Sequence, residues 1–392
     1  MELKKFVNFD QIDIAFKAKS DKALKKRHFI FSTMKWPWLV SIGTSLTKFS
    51  LSAGLPVKGL VKSTIFDIFC GGESLDTCSD ACDELERYGI GAIFDYSVEG
   101  EKTEAGFDVT TEEVLRTIET AAKSEVMKFA AFKITGVGAY DLLAKIHANE
   151  MLSDEESVAY NRVVNRVERI CALASKLGVT VLIDAEETWI QKPIDDITIG
   201  MMAKYNKDKA VVYYTFQMYC HAMLENLKSM HKKATTDGYV LGAKLVRGAY
   251  MEKERERAQA MGYSDPIQPT KNSTDDDFNA ACKFCIQNLS EIGLFAGSHN
   301  EESNYRLTLL MDEFGLKSDD DRIYFGQLYG MSDHISFNLA HGGYNVIKYV
   351  PYGPLKATIP YLIRRAAENT SVKGQSGREL TLVTKELKRR KS

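Results

Sequence analysis

The sequence predicts a TIM-type (βα)8 barrel preceded by a helical N-terminal arm, and three observations favour this fold. From Gly89 onward, eight short apolar segments alternate with amphipathic helical segments, and eight such units most simply close into a barrel. The apolar segments are continuous, which is typical of parallel strands buried on both faces. No Gly-x-Gly-x-x-Gly fingerprint follows a strand, since Gly136-Val137-Gly138 departs from it after the second glycine. This disfavours a doubly wound dinucleotide fold.

The elements divide into an arm over residues 1–90 and a barrel over residues 91–392. In the arm, breaks at Gly54-Leu55-Pro56 and Cys70-Gly71-Gly72 separate the predicted helices Leu24–Trp38, Val57–Phe69 and Thr77–Tyr88. The predicted strands are Ala92–Tyr96, Phe129–Ile134, Thr180–Asp184, Val211–Gln217, Leu241–Val246, Leu294–Ser298, Ile323–Leu328 and Asn345–Val350. The predicted helices between them include Thr111–Ser124, Asp154–Leu177, Ile194–Tyr205, His221–Lys233, Asp276–Ile292 and Glu302–Phe314.

Composition narrows the class of protein. Of 392 residues, 44% are apolar and 27% charged, with a net charge of -2, a balance that does not suggest nucleic-acid binding. No apolar run reaches the length of a membrane span, and the basic N-terminus carries acidic residues that a presequence would lack, so we expect it to belong to the mature protein. Of the seven scattered cysteines, Cys78/Cys82 and Cys282/Cys285 look like paired ligands, but both pairs lie in helix-like sequence and no second pair at zinc spacing accompanies either. This predicts reduced, structural thiols and no metal site. A cytoplasmic location follows as the expectation.

Polar side chains recur where the predicted strands end, and in a barrel of this type the active site is built from those ends. Polar residues are common at the ends of strands, but lysines inside apolar strands are unusual. Lys133 and Lys244 each interrupt such a strand, and an unpaired buried lysine is unfavourable. Each should therefore point to a partner or an occupied cavity. The strand ends contribute Asp95, Lys133, Asp184, Glu186, Gln217, Tyr219, Lys244, Arg247, Tyr250, His299, Asn300, Gln327, Leu328 and Tyr349.

A helical stretch near the C-terminus can be interpreted in two ways. Tyr361, Arg364, Arg365 and Glu368 fall on one arc of the helix, opposite an apolar side. Charged residues on an amphipathic helix usually face solvent. Adjacent arginines flanked by a tyrosine also suit a small carboxylate, because each guanidinium offers a planar fork of donors.

Together these residues resemble the proline dehydrogenase family from about residue 90 to 380. The motifs are Leu182-Ile-Asp-Ala-Glu-Glu187, Lys244-Leu-Val-Arg-Gly-Ala-Tyr250, Ser298-His-Asn300, Phe325-Gly-Gln-Leu-Tyr-Gly-Met331 and Tyr361-x-x-Arg-Arg-x-x-Glu-Asn369. The resemblance implies a flavoenzyme barrel whose last helix lies over the barrel mouth.

The resemblance also implies roles for individual residues. Arg364, Arg365 and Lys133 would bind the substrate carboxylate, with Asp184 beside Lys133. Lys244 would lie near flavin N5 and Gln217 against the flavin ring. The residues implied to enclose the proline ring are Tyr250, Leu328, Tyr349 and Tyr361. Those implied along the rest of the FAD are Arg247, Gly248, Thr270, His299, Asn300 and Glu368. Met251 departs from the tryptophan that some bacterial members place beside the adenine.

The implied reaction is FAD-dependent oxidation of L-proline to 1-pyrroline-5-carboxylate, the first step of proline catabolism to glutamate. The cofactor performs the hydride chemistry, while the protein supplies orientation and charge. No dedicated base for the substrate amine stands out, and solvent and Asp184 both remain open. Electrons would pass to a quinone or another acceptor, with the apolar stretch from Trp36 to Leu60 touching the inner membrane peripherally. The chain ends soon after the arginine motif, so a separate pyrroline-5-carboxylate dehydrogenase is expected to follow.

Three other functions remain open from the residues. The first is the sister activity on 4-hydroxyproline. The second is a Schiff-base aldolase that uses Lys133 or Lys244 as a nucleophilic amine. The third is a barrel that binds an amino acid or flavin without catalysis.

Overall fold

The protein is a closed parallel barrel in which eight strands follow one another in chain order. The computed structural model describes residues 7–34, 58–96, 101–124, 129–371 and 375–392. The strands are β1 (Ile90–Tyr96), β2 (Phe129–Lys133), β3 (Thr180–Asp184), β4 (Val212–Gln217), β5 (Leu241–Val246), β6 (Ile292–Gly297), β7 (Ile323–Leu328) and β8 (Val346–Tyr352). The predicted fold class is confirmed, and the bounds of β3, β5 and β7 agree with the predictions.

Helices alternate with these strands. Before β1 the described part of the chain contains α1 (Ile12–Ala15), α2 (Asp21–Met34), α3 (Lys58–Val61), α4 (Asp67–Phe69) and α5 (Ser79–Glu86). Between the strands lie α6 (Glu104–Ala121), α7 (Tyr140–His147), α8 (Asp154–Leu177), α9 (Thr188–Tyr205), α10 (Met223–Asp237), α11 (Met251–Met261), α12 (Lys271–Gln287), α13 (Glu301–Glu313) and α14 (Asp333–His341). After β8 come α15 (Leu355–Ser371) and α16 (Gln375–Arg389).

Capping residues explain where helix starts differ from the predictions. α6 begins at Glu104 rather than Thr111 because Thr103 accepts a hydrogen bond from the Gly106 amide at 3.1 Å. α12 begins at Lys271 rather than Asp276 because Thr270 caps the Ser273 amide at 3.0 Å.

The predicted helix Val57–Phe69 is not one continuous α-helix. Residue 57 lies outside the described part of the chain. A π-helical segment, Lys62–Phe66, separates α3 from α4. The π-helical segment ends at the buried Phe66, and Ile68 and Phe69 of α4 are buried after it, at 2%, 4% and 0% exposure respectively.

The chain divides into two compact units. Unit one comprises Met1–Glu99 and Gln327–Ser392, and unit two comprises Gly100–Gly326. In unit two, the Phe129 ring packs edge-on against Phe295 and Tyr324, with centroids 5.7 and 4.7 Å apart. The division expected between an arm over residues 1–90 and a barrel over 91–392 stays a prediction.

Unit one has a core of its own at the two ends of the chain. Leu24 on α2 is buried with Leu382 and Val383 of α16. Within the described ranges, no helix is long and apolar enough to cross a membrane. Most of the apolar stretch from Trp36 to Leu60 lies outside the described residues.

Candidate active site

The two lysines that interrupt apolar strands share one carboxylate in unit two. Lys133 ends β2, Asp184 ends β3 and Lys244 lies in β5. Lys244 Nζ lies 2.6 Å from Asp184 Oδ1, and Lys133 Nζ lies 3.4 Å from Asp184 Oδ2. Their side chains are 7% and 23% exposed. The expectation that each lysine points to a partner is confirmed, and the resulting group carries a net positive charge.

A buried glutamate stands beside this group. Glu186, 3% exposed, accepts hydrogen bonds from the Thr135 amide at 3.0 Å and from the Thr135 hydroxyl. Its backbone carbonyl accepts from Gln217 Nε2 at 2.8 Å, which fixes the orientation of the Gln217 amide. Burial raises the pKa of Glu186 to about 7, and the Thr135 hydrogen bonds and the charge of Lys133 oppose that rise.

Arg247, just after β5, connects two helix N-termini. Its guanidinium donates to Asp275 of α12 at 2.6 Å, to Ser298 at 2.7 Å and to Ser303 of α13 at 2.9 Å. It also lies 4.5 Å from the centroid of the Phe278 ring. Burial would raise the pKa of Asp275, but Lys271 and Arg247 lower it below its ordinary value. Within the described part of the chain, these contacts use three of the five guanidinium N–H groups. The arrangement therefore retains donors for an anion beside two helix N-termini.

The predicted cofactor residues Thr270 and Asn300 are the N-cap residues of two helices in this region. Thr270 caps α12, and Asn300 caps α13 by accepting from the Ser303 amide at 3.1 Å. Gly248 has φ +136°, and a Cβ there would meet the Tyr219 ring at 2.4 Å, so only glycine fits. His299 is half-buried directly before the Asn300 cap, and Tyr250 is half-buried directly before α11.

In unit one, the arginine helix α15 has buried side chains on both of its arcs within the part whose side chains the structure describes. Leu355 and Leu362 are each 4% exposed, as the apolar arc predicts, but Tyr361 and Arg365 are only 6% and 7% exposed. The Arg365 guanidinium lies 5.0 Å from the centroid of the Tyr361 ring. Arg364 is half-buried. The solvent-facing interpretation therefore does not hold for Arg365. The Glu368 side chain lies outside the described part of the chain.

Two strand ends of unit one carry the remaining predicted residues. Leu328, the last residue of β7, packs against a hydrophobic cluster that includes Tyr361 and Met331. Tyr349 of β8 is 8% exposed, and its carbonyl accepts from the Tyr329 amide at 2.8 Å.

Several residues that organise these groups were not predicted as site residues. Thr135, Asp275 and Ser303 are polar residues near strand ends or in first helical turns, and they carry no motif of their own. Ser298 stands within a quoted motif but was not given a role. The contacts of Arg247 reach 28, 51 and 56 residues along the chain. Sequence reasoning without a fold could not have found them.

A protein-family model described as "Proline dehydrogenase" matches residues 78–378. The carbapenem antibiotics biosynthesis protein CarD of Pectobacterium carotovorum subsp. carotovorum is 36% identical over 333 residues, which cover 85% of this chain and 86% of that protein. Mitochondrial proline dehydrogenase 1 of Dictyostelium discoideum is 32% identical over 384 residues, 87% of this chain and 67% of that protein.

Solved structures of proline utilization A (PutA) share the fold. The protein from Bdellovibrio bacteriovorus, inactivated by N-propargylglycine, superposes with a TM-score of 0.71 at 21% identity. The match covers 92% of this chain and 38% of that one. At this identity the likeness shows the fold alone.

Proposed function

The chain belongs to the proline dehydrogenase family, and we propose that it oxidises L-proline to 1-pyrroline-5-carboxylate with FAD as the hydride acceptor. The observation that carries the substrate assignment is the burial of Arg365 against Tyr361. Arg365 is 7% exposed, so its guanidinium is held away from water, where hydrogen bonds to an anionic ligand are strong. The planar fork of donors on an arginine matches the carboxylate of a small amino acid.

The substrate groups are assigned as the family resemblance implies. Arg364, Arg365 and Lys133 bind the carboxylate. The apolar ring of proline is enclosed by Tyr250, Leu328, Tyr349 and Tyr361. Support comes from the burial of Tyr349 and Tyr361, at 8% and 6% exposure, since such a wall excludes water from the carbon that loses hydride.

The side chains of unit two suit a dinucleotide. Arg247 and the N-termini of α12 and α13 provide donors and positive potential for phosphate groups. Gln217 offers an oriented amide and Lys244 a fixed cation. We assign Gly248, Thr270, His299, Asn300 and Glu368 to the same cofactor from the resemblance. When bound, FAD supplies the two-electron acceptor that no side chain provides.

The substrate amine must lose a proton during the reaction. Both carboxylate oxygens of Asp184 accept from lysines, at 2.6 and 3.4 Å. These contacts favour solvent over Asp184 as the acceptor of that proton. Asp184 instead keeps two ammonium groups in place. That of Lys133 faces the substrate carboxylate, and that of Lys244 faces the flavin, which accepts the hydride.

Electrons are proposed to leave to a quinone-type acceptor, through peripheral contact with a membrane. From Lys22 to Phe66 the sequence contains no aspartate or glutamate, and it includes Trp36 and Trp38. On α2 the side chain of Phe29 is 66% exposed. Basic and aromatic residues together suit an anionic bilayer surface. Oxidation of the pyrroline product to glutamate is assigned to a separate dehydrogenase.

Two alternatives have less support. A Schiff-base aldolase requires a neutral amine, whereas a shared ion pair is the arrangement expected of two charged ammonium groups. The sister activity on 4-hydroxyproline requires space for a hydroxyl beside the substrate ring, and the buried phenol of Tyr349 leaves little such space.

The test is proline-dependent reduction of a water-soluble quinone by the flavin-loaded protein, in the parent and in Arg365→Met. The matched control is Arg378→Met, because Arg378 belongs to the same unit but pairs at the surface with Asp10 at 2.8 Å. We expect activity in the parent and the control and a large loss in Arg365→Met. Equal activity in all three would remove α15 from the substrate site, and inactivity in all three would contradict the proposed reaction.

A further inference from the structure

A buried ion-pair network lies in unit one and includes no residue assigned above. Asp333, the first residue of α14, is 3% exposed. Its carboxylate accepts from Arg27 of α2 at 2.6 Å and lies 2.9 Å from Lys348 Nζ of β8. Arg27 and Lys348 are 5% and 1% exposed. Burial would raise the pKa of Asp333, but Lys348 and Arg27 lower it well below its ordinary value, so the carboxylate is ionised.

Lys348 also holds the turn that follows β7. Its ammonium donates to the Leu328 carbonyl at 3.3 Å and to the Met331 carbonyl. An ammonium has three N–H groups, and with Asp333 these acceptors account for all of them. The Met331 amide donates in turn to the Leu328 carbonyl at 3.2 Å. The lysine therefore fixes the backbone at Leu328, a residue assigned to the proline pocket.

The same turn is joined to the residue after Lys348. The Tyr329 amide donates to the Tyr349 carbonyl at 2.8 Å. Because successive side chains of a strand point to opposite faces, Lys348 and Tyr349 project to opposite sides of β8. The network thus acts on one side of the strand, while the other side carries the phenol assigned to substrate selection.

The turn after β7 ends in a strained backbone conformation, which other residues must stabilise. Ser332 has φ +51°, a left-handed conformation that is rare outside glycine. Its amide donates to the Glu379 carboxylate of α16, a side chain with 2% exposure. A residue in such a conformation persists only where its surroundings enforce it.

We propose that Arg27, Asp333 and Lys348 are positioning residues that fix Leu328 and Tyr349 and thereby set the selection between proline and ring-substituted prolines. This inference rests on the proposed function for the role of Leu328 and Tyr349. A charged network with directed hydrogen bonds specifies one backbone position, which apolar packing of the same turn would not. Arg27 lies 306 residues before Asp333, so the N-terminal segment takes part in forming the pocket.

The experiment compares Arg27→Met with a variant at a second buried carboxylate, whose arginine partners are partly exposed and lie outside this turn. Glu386 of α16 is 0% exposed and binds Arg389 and Arg390, each at 2.7 Å, so Glu386→Gln is the matched control. Arg27→Lys tests rescue, because an ammonium can still donate to Asp333 from a shorter side chain. All variants are studied as flavin-loaded protein, with flavin content measured by absorbance.

Two readouts are compared. The first is amide hydrogen exchange at residues 328–333. The second is the ratio of kcat/KM for proline to kcat/KM for 4-hydroxyproline. We expect Arg27→Met to raise exchange in the turn and to lower the ratio by about tenfold. Arg27→Lys should restore most of the parental amide exchange and most of the parental kcat/KM ratio. Glu386→Gln should lower thermal stability without changing the exchange in the turn or the ratio.

Parental exchange and an unchanged ratio in folded Arg27→Met would overturn the proposal and leave the network a purely structural one. If Arg27→Met does not fold, Arg27→Gln carries the comparison, because glutamine also removes the charge that pairs with Asp333; raised amide exchange and a lower ratio are expected, and parental values of both would overturn the proposal. If proline does not reduce the parent, the proposed function fails. The exchange comparison with Glu386→Gln then still decides whether the network holds the turn.

Discussion

Replacing Lys244 with methionine separates a structural role of the lysine–aspartate group from a role in flavin chemistry. Lys244 Nζ lies 2.6 Å from Asp184 Oδ1, and the two side chains are 7% and 15% exposed. Methionine keeps the length of the side chain but removes the charge. Of its two lysine contacts, Asp184 would then keep the longer one, to Lys133, at 3.4 Å.

The expected loss of stability follows from that geometry. Removing one partner of a buried pair destabilises a protein by about 3–5 kcal/mol. Because Lys133 remains, we expect the lower end, about 3 kcal/mol, in the free energy of unfolding. The double variant Lys244→Met with Asp184→Asn removes the uncompensated carboxylate but also the partner of Lys133, so it should recover part of this loss.

Catalysis should not recover with stability. A fixed cation near developing negative charge is worth about 10²–10³ in rate, and neither variant supplies one. The assay is the rate of anaerobic flavin reduction by proline, beside denaturant unfolding and flavin content. The reasoning is refuted if Lys244→Met retains flavin and is reduced at the parental rate, or if the double variant regains the rate together with the stability.

The remaining predictions concern selectivity, the arginine pair and pH. Tyr349→Ser should shift the preference toward 4-hydroxyproline by an amount equivalent to about 1–3 kcal/mol. The measurement is the ratio of kcat/KM for proline to kcat/KM for 4-hydroxyproline, and an unchanged ratio removes Tyr349 from the pocket. Arg364→Lys and Arg365→Lys should each lose about 2–5 kcal/mol in efficiency, because an ammonium lacks the planar fork; steady-state kinetics at parental level would contradict this. The pKa of Glu186 rises from 4.5 to about 7 on folding, so its contribution to stability is complete below pH 4.5 and is lost as the pH rises through 7. Glu186→Gln should therefore match the parent near pH 4 and exceed its unfolding free energy by about 3 kcal/mol at pH 8, and equal pH profiles in denaturant titrations would argue against it.

The sequence was most informative where a residue type conflicts with its surroundings. Lys133 and Lys244 each break an apolar strand, and both were expected to have a partner. Asp184 is that partner for both. Lys348 interrupts β8 in the same way, but it was not predicted as a site residue. Its partner Asp333 lies at the start of a helix rather than in a strand-end motif, and Arg27 lies in the arm.

The bounds of helices and the burial of α15 could not be predicted as well as the partners of the two lysines. Thr103 and Thr270 begin helices earlier than the apolar pattern does, because capping depends on a hydrogen bond that periodicity does not reveal. The arc containing Tyr361 and Arg365 has the pattern of a surface, and only its packing in unit one shows that it is buried. Periodicity reports which sides of a helix differ, not which of them meets solvent.

The most direct measurement is the absorbance spectrum of the purified protein, followed without oxygen as L-proline is added. The proposed function predicts an oxidised-flavin spectrum that bleaches on addition of proline, with one equivalent of 1-pyrroline-5-carboxylate formed per flavin. A protein that binds no flavin under reconstitution with FAD, or a flavin that stays oxidised with saturating proline, would contradict it.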